Sequence, residues 1–129
     1  MKNKFIKNNK EQANFNKHLS NINKSLAKND LKSAVENLMR ALEIEPKNYL
    51  LLNELGNCYA KLENYNYALQ YHNKAASIND KNAIILTNVA IDLLKLDRLR
   101  EAIQFFEFAI EEDDKYYPAY NGLTTAYHN

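Results

Sequence analysis

Few side chains in this 129-residue sequence could perform catalysis or hold a metal ion. The one cysteine, Cys58, and the three histidines, His18, His72 and His128, are scattered along the chain. A covalent catalyst needs a nucleophile, a base and an orienting group that converge, and a zinc site needs closely spaced Cys and His ligands. The sequence shows neither pattern, and its two glycines form no phosphate-binding loop. We therefore predict a chain that is not an enzyme and that binds no metal and no cofactor.

Four consecutive carboxylates at residues 111–114 are the remaining candidate for ion binding. A calcium loop needs a glycine at its sharp turn and a closing glutamate, and this run has neither. The run follows a helical pattern, where negative charge opposes the helix dipole. We interpret it as a solvated turn.

The composition is typical of a folded protein without a membrane-spanning segment. Apolar residues make up 46% of the chain and charged residues 26%. No window approaches 18 consecutive apolar residues, and the basic start MKNKFIKNNK is not followed by the apolar stretch of a secretory signal. The expected compartment is therefore the cytoplasm.

Positive charge is concentrated near the N-terminus. Residues 1–32 hold eight lysines and two carboxylates, which gives a net charge of +6, whereas the other 97 residues carry −5. The lysines alternate with asparagines and form no compact patch, so we interpret residues 1–14 as a solvated basic tail and see no strong signal for nucleic-acid binding. The alternative is an arm within residues 2–32 that binds nucleic acid or an anionic membrane.

The sequence repeats with a period of 34 residues. Segments 33–48, 67–82 and 101–116 align without a gap. Each contains an alanine, a bulkier residue four positions later and a second alanine three positions after that: Ala34, Leu38 and Ala41; Ala68, His72 and Ala75; Ala102, Phe106 and Ala109. This spacing marks one face of a helix, and the small residues predict that a neighbouring helix comes close.

A second helical pattern precedes each of these segments. Leu52, Leu55, Gly56 and Tyr59 correspond to Leu86, Val89, Ala90 and Leu93. Asn and Asp residues lie between the two halves, where they can end one helix and cap the next. A glycine inside a helix costs about 1 kcal/mol relative to alanine. Gly56 should therefore have a packing or functional reason.

Together these features resemble the tetratricopeptide repeat (TPR) family, whose 34-residue pattern is W-x2-L-G-x2-Y, followed by A-x3-F, A and P. Residues 49–82 match best, with Leu52 in the Trp slot and departures at His72 and Asp80. The resemblance implies an all-α fold, a right-handed α-solenoid of helix-turn-helix repeats. We expect a basic tail at 1–14, three repeats at 15–48, 49–82 and 83–116, and a capping helix or truncated fourth repeat at 117–129.

The resemblance also implies a function, because the first helices of TPR domains line a concave groove that holds a peptide or a segment of a partner protein. An asparagine amide both donates and accepts hydrogen bonds, so it can pair with the main chain of an extended peptide of any sequence. Aliphatic side chains beside it add apolar contacts. The predicted peptide-binding residues are Asn23, Leu50, Asn53, Asn57, Lys61, Ile84, Asn88, Ile91, Lys95 and Asn121. We predict a non-catalytic protein-binding scaffold.

The identity of the partner does not follow from these residues. TPR domains that clamp the C-terminal carboxylates of heat-shock chaperones carry basic residues at slots where this chain has Leu19, Ile84 and Asn88, so that dicarboxylate clamp is not expected. Two other hypotheses remain open. The repeats could be a regulatory or targeting module of a larger enzyme, and the Tyr-rich C-terminal end could associate weakly with itself.

Overall fold

The computed structural model describes residues 8–129, and these residues form seven α-helices and no β-strand. The helices are α1 (Asn9–Ala27), α2 (Leu31–Ile44), α3 (Tyr49–Lys61), α4 (Tyr65–Ile78), α5 (Ala83–Lys95), α6 (Leu99–Glu112) and α7 (Tyr117–Tyr127). Each helix packs against the next one in the chain, and α5 also contacts α3 and α7. This stack of consecutive helix pairs is the all-α solenoid that the 34-residue period predicts.

The turns inside the three helix pairs share one backbone conformation. Asn29, Glu63 and Asp97 have φ values of 57°, 60° and 62°, and they lie 34 residues apart. In each turn the following amide N–H donates to a carbonyl five residues back, as Arg98 does to Leu93 at 2.9 Å. This hydrogen bond closes the Schellman motif that ends many helices. The repeat is therefore regular at the level of single backbone torsions.

Asparagine and aspartate side chains begin five of the seven helices. The capping residues are Asn8, Asp30, Asn48, Asn64 and Asn82, and each accepts a hydrogen bond from the backbone N–H three residues ahead. Such caps satisfy amides that have no partner inside the helix. The many asparagines of this chain thus supply much of its helix-starting chemistry.

The recurring alanines form the contact between the two helices of each pair. Ala34, Ala41, Ala68, Ala75, Ala102 and Ala109 are all fully buried. Between them the bulkier side chains Leu38, His72 and Phe106 are also buried. Small residues on one helix let the backbone of its neighbour approach, and the single large residue fills the space between them.

Helix α1 begins at Asn9, six residues before the expected start of the first repeat. The side chain of Asn8 accepts a hydrogen bond from the Glu11 amide at 2.7 Å, and Glu11 places negative charge in the first turn. Phe15, about one helical turn after Glu11, is buried. Residues 9–14 of the segment assigned to a solvated tail are therefore helical. Residues 1–7 lie outside the described part of the chain.

Gly56 lies where α3 meets the side chain of a residue on α4. A Cβ atom on Gly56 would come within 2.5 Å of Cδ2 of His72, closer than real Cβ contacts. A second close approach occurs between successive repeats, where a Cβ on Gly122 of α7 would meet the ring of Phe106 on α6. Glycine is thus required by the close approach of a ring and not by a backbone torsion, because neither glycine has positive φ.

The substitution Gly56→Leu tests this contact. A leucine side chain has no room beside His72, and we expect overpacking to lower the free energy of unfolding by about 1–3 kcal/mol. This loss should appear even though leucine has the higher helix propensity. Urea unfolding and the melting temperature measure it, and Ala13→Leu on the exposed side of α1 is the control. An unchanged melting temperature for Gly56→Leu contradicts the assignment.

Candidate peptide-binding groove

The residues predicted to bind a peptide lie on the first helices α1, α3 and α5 and on α7. Leu50, Ile84 and Ile91 are 64%, 50% and 36% exposed, which leaves large aliphatic surface in contact with solvent. Asn23, Lys61, Lys95 and Asn121 are also exposed, whereas Asn53, Asn57 and Asn88 are half-buried. We call the surface that α3 and α5 present through eight of these residues the first-helix groove. Helix α7, which carries Asn121, contacts α5, whereas α1, which carries Asn23, contacts only α2 among the described helices.

A depression of about 250 Å³ lies in this groove between α3 and α5. Its lining residues are Glu54, Asn57, Ala60, Lys61, His72, Asn88, Ile91 and Asp92. Four of the predicted residues, Asn57, Lys61, Asn88 and Ile91, thus come together around one cavity. Its wall offers two amides, two carboxylates, one imidazole, one ammonium group and the apolar side chains of Ala60 and Ile91.

The asparagines of the groove are bonded to one another. The amide nitrogen of Asn88 donates to Oδ1 of Asn53 at 3.0 Å and lies 3.4 Å from Oδ1 of Asn57. Within residues 8–129, these bonds leave the amide nitrogens of Asn53 and Asn57 and the carbonyl of Asn88 without a side-chain partner. The groove therefore presents donors and an acceptor in fixed orientations, which is the set that an extended main chain needs.

A buried histidine–aspartate pair is hydrogen-bonded to one of these amides, that of Asn57. His72 on α4 and Asp92 on α5 are each 1% exposed, and Nδ1 of His72 lies 2.5 Å from Oδ2 of Asp92. On the other side of the ring, Nε2 lies 2.9 Å from Oδ1 of Asn57, which is arranged to accept its proton. Burial raises the pKa of Asp92, and the hydrogen bond and charge of His72 oppose that rise. The pair therefore connects the second repeat to the third and fixes Asn57.

Comparisons with known proteins decide the family. Two family models described as tetratricopeptide repeat match residues 25–48 and 37–70. The chain contains tetratricopeptide repeats. Human Superkiller complex protein 3 is 30% identical over 90 residues, but these span 70% of this chain and only 6% of that protein.

Solved TPR structures show the same fold at low sequence identity. The first TPR of Spaghetti (RPAP3), bound to the HSP90 peptide SRMEEVD, superposes with a TM-score of 0.82 at 19% identity and covers 95% of this chain and 94% of that one. A mutant of O-GlcNAc transferase from Thermobaculum terrenum superposes with a TM-score of 0.83 at 23% identity. The match covers 95% of this chain and 24% of the transferase. These likenesses establish the TPR fold.

Sequence reasoning did not find Asp92 as part of the groove. In the TPR alignment Asp92 takes the slot that Cys58 occupies in the second repeat and Ala126 in the last helix, and both of these are buried. A carboxylate in a slot for small buried residues, together with a histidine in a slot for a bulky apolar one, is a paired departure from the repeat. These two departures from the repeat pattern could together have predicted the hydrogen bonds that His72 forms with Asp92 and Asn57.

Cys58 has the environment of a packing residue. It is buried on α3 and forms no disulfide. Burial, and to a lesser extent the negative charge of Glu54, raises the pKa of the Cys58 thiol to about 11. The thiolate, which is the nucleophile, is then scarce at neutral pH. Within residues 8–129, no group of His, Cys, Asp and Glu could hold a metal, and no helix is both long and apolar enough to cross a membrane.

Replacing Asp92 alone should destabilise the protein strongly. Asp92→Ala leaves His72 buried without its partner, and losing one member of a buried pair costs about 3–5 kcal/mol. The double variant His72→Phe with Asp92→Leu removes both polar groups and restores an apolar contact of the kind seen at Phe106, so we expect a smaller loss. Urea unfolding of both variants provides the comparison. A double variant no more stable than Asp92→Ala contradicts this account.

Cys58 should react slowly with maleimide in the native state. At pH 7.5 a thiol with a pKa of about 11 is ionised in fewer than roughly one molecule in a thousand. Burial of the sulfur slows the reaction further. We expect native alkylation to be at least about 100-fold slower than alkylation of the same protein in urea. Equal rates in the two states show that the thiol is accessible and reactive.

Proposed function

We propose that this TPR domain is a non-catalytic scaffold that binds an extended peptide segment of a partner protein along the first-helix groove. The observation that carries the proposal is the juxtaposition of exposed aliphatic side chains with oriented amides on α3 and α5. Ile84 and Ile91 are exposed on the same helix as Asn88, whose amide is held by Asn53 and lies near Asn57. Amides of this kind can pair with main chain, while the isoleucines accept apolar side chains.

The charges of the groove favour one kind of peptide. Glu54 and Lys61 both line the depression, and Lys95 lies at the C-terminal end of α5. With both signs present, the groove has no concentration of positive charge for a pair of carboxylates. The RPAP3 domain in the comparison holds a peptide that ends in EEVD. For this chain we propose a peptide that is anchored by aliphatic residues and hydrogen-bonded through its main chain.

The groove can be tested with peptides selected from a random display library on the intact chain. We expect the double variant Ile84→Asp with Ile91→Asp to weaken binding of the selected peptides at least tenfold, because it removes the apolar contacts without touching a hydrogen bond. Fluorescence anisotropy measures the affinities. Met39→Asp with Tyr67→Asp, which alters exposed side chains on α2 and α4, is the matched control.

The asparagine prediction needs a different readout. Asn57→Ala with Asn88→Ala should abolish binding, but Asn57 also accepts from buried His72, so the free energy of unfolding is measured alongside. Peptides that bind both groove variants as tightly as the original chain place their site elsewhere and contradict the proposal.

A second candidate is a regulatory or targeting module of a larger enzyme. The likeness to the O-GlcNAc transferase structure supports it, because the match occupies 24% of that chain. Intact mass spectrometry of the native protein discriminates the two. A mass well above 15.0 kDa favours the module, and a mass near that value favours the separate scaffold.

A further inference from the structure

A second groove lies on the other helices of the stack, between α4 and α6. It encloses about 500 Å³ and is lined by Asn73, Ala76, Ser77, Asp80, Leu86, Phe105, Phe108, Glu111 and Glu112. Phe105 and Phe108 meet edge to face with their ring centroids 5.6 Å apart, and Phe108 is 39% exposed. None of these residues belongs to the first-helix groove. We call this site the second-helix groove.

The charges of the second-helix groove all have one sign. Asp80, Glu111 and Glu112 are acidic, and no lysine or arginine is among the lining residues. Within residues 8–129, none of these three carboxylates forms a salt bridge. Glu111 and Glu112 are the last residues of α6, where the helix dipole adds negative potential. An occupant should therefore combine positive charge, which can pair with the carboxylates or lie over the exposed Phe108 ring, with an aromatic or aliphatic side chain that packs against Phe105 and Phe108.

The chain itself contains a segment with this chemistry. Residues 1–7 read MKNKFIK, with Lys2, Lys4 and Lys7 around Phe5 and Ile6, and contain no acidic residue. This segment adjoins α1, which contacts only α2 among the described helices, whereas the groove is built from α4, α5 and α6. Seven residues span at most about 24 Å when extended, and packed helix axes lie about 8–10 Å apart. Reaching the groove of its own chain takes three helix-to-helix steps, from α1 through α2 and α3 to α4, or about 24–30 Å. That distance equals or exceeds the full extension of the segment, so a neighbouring chain is the better source.

We propose that the second-helix groove binds residues 1–7 of a second copy of this chain. The lysines pair with Asp80, Glu111 and Glu112, and Phe5 or Ile6 covers Phe105 and Phe108. The contact is head to tail, because the segment and the groove are different surfaces of one molecule, so further copies can add at either end. It leaves the first-helix groove free.

The direct test uses a fluorescein-labelled peptide of residues 1–10 and the full chain, followed by anisotropy at low salt. We expect saturable binding that falls at least tenfold for Glu111→Lys with Glu112→Lys, and likewise for Phe108→Ala, which keeps the charge. A peptide with its lysines replaced by glutamine should not bind. Glu36→Lys with Glu43→Lys on the exposed side of α2 makes the same charge change elsewhere and should alter affinity less than twofold.

Sedimentation velocity of the unlabelled chain completes the test. We expect the mean mass to rise with concentration, and the Glu111→Lys, Glu112→Lys variant to remain monomeric while its circular dichroism is unchanged. Equal peptide binding by the groove variants, or equal weakening by the α2 control, overturns the proposed site. A chain that stays monomeric while the groove binds the peptide overturns the second copy as occupant.

Discussion

The first and second helix of each pair approach so closely at the recurring alanines that a larger side chain has no room there. Ala68 and Ala75 are fully buried on either side of His72, and Gly56 makes the matching space on α3. Because each helix packs mainly against its sequence neighbours, this contact is repeated along the stack and takes the place of a central core. It also determines which helix faces remain exposed to solvent, and both grooves lie on such exposed faces.

His72 is the exception to the apolar contact, and its consequences extend to the surface. In the other two pairs the equivalent side chains are Leu38 and Phe106, which need no hydrogen bond. A buried imidazole needs partners at both nitrogens, and here they are Asp92 and Asn57. Losing one partner leaves an unpaired buried group, so the three positions can change only together. The second and third repeats are thereby coupled through a polar contact that ends at the Asn57 amide in the first-helix groove.

The period, the helix faces and the alanine contacts could be predicted from sequence because each is set by spacing within a few turns of helix. The start of α1 at Asn9 was missed, since Asn8 caps the helix in a stretch that otherwise reads as Lys- and Asn-rich tail. The hydrogen bonds among Asn53, Asn57 and Asn88 were missed for another reason. They join residues 31 and 35 positions apart. Whether an asparagine amide bonds to a ligand or to another asparagine depends on distances that are set only when the helices pack.

Helix α5 contributes lining residues to both grooves, so its position helps to set the shape of each. Leu86 lines the second-helix groove, while Asn88 and Ile91, within two turns of it, line the depression on the opposite side. Side chains at these spacings leave a helix in different directions, so one helix serves both faces without competition for space. A ligand on either face stabilises the folded chain by mass action. Binding at one face changes the affinity of the other only if the helices have a second arrangement, and if each ligand binds the two arrangements with different affinity. Because α5 is held by a cluster of buried apolar residues and by the Asp92–His72 contact, we expect occupants of the two proposed sites to bind independently.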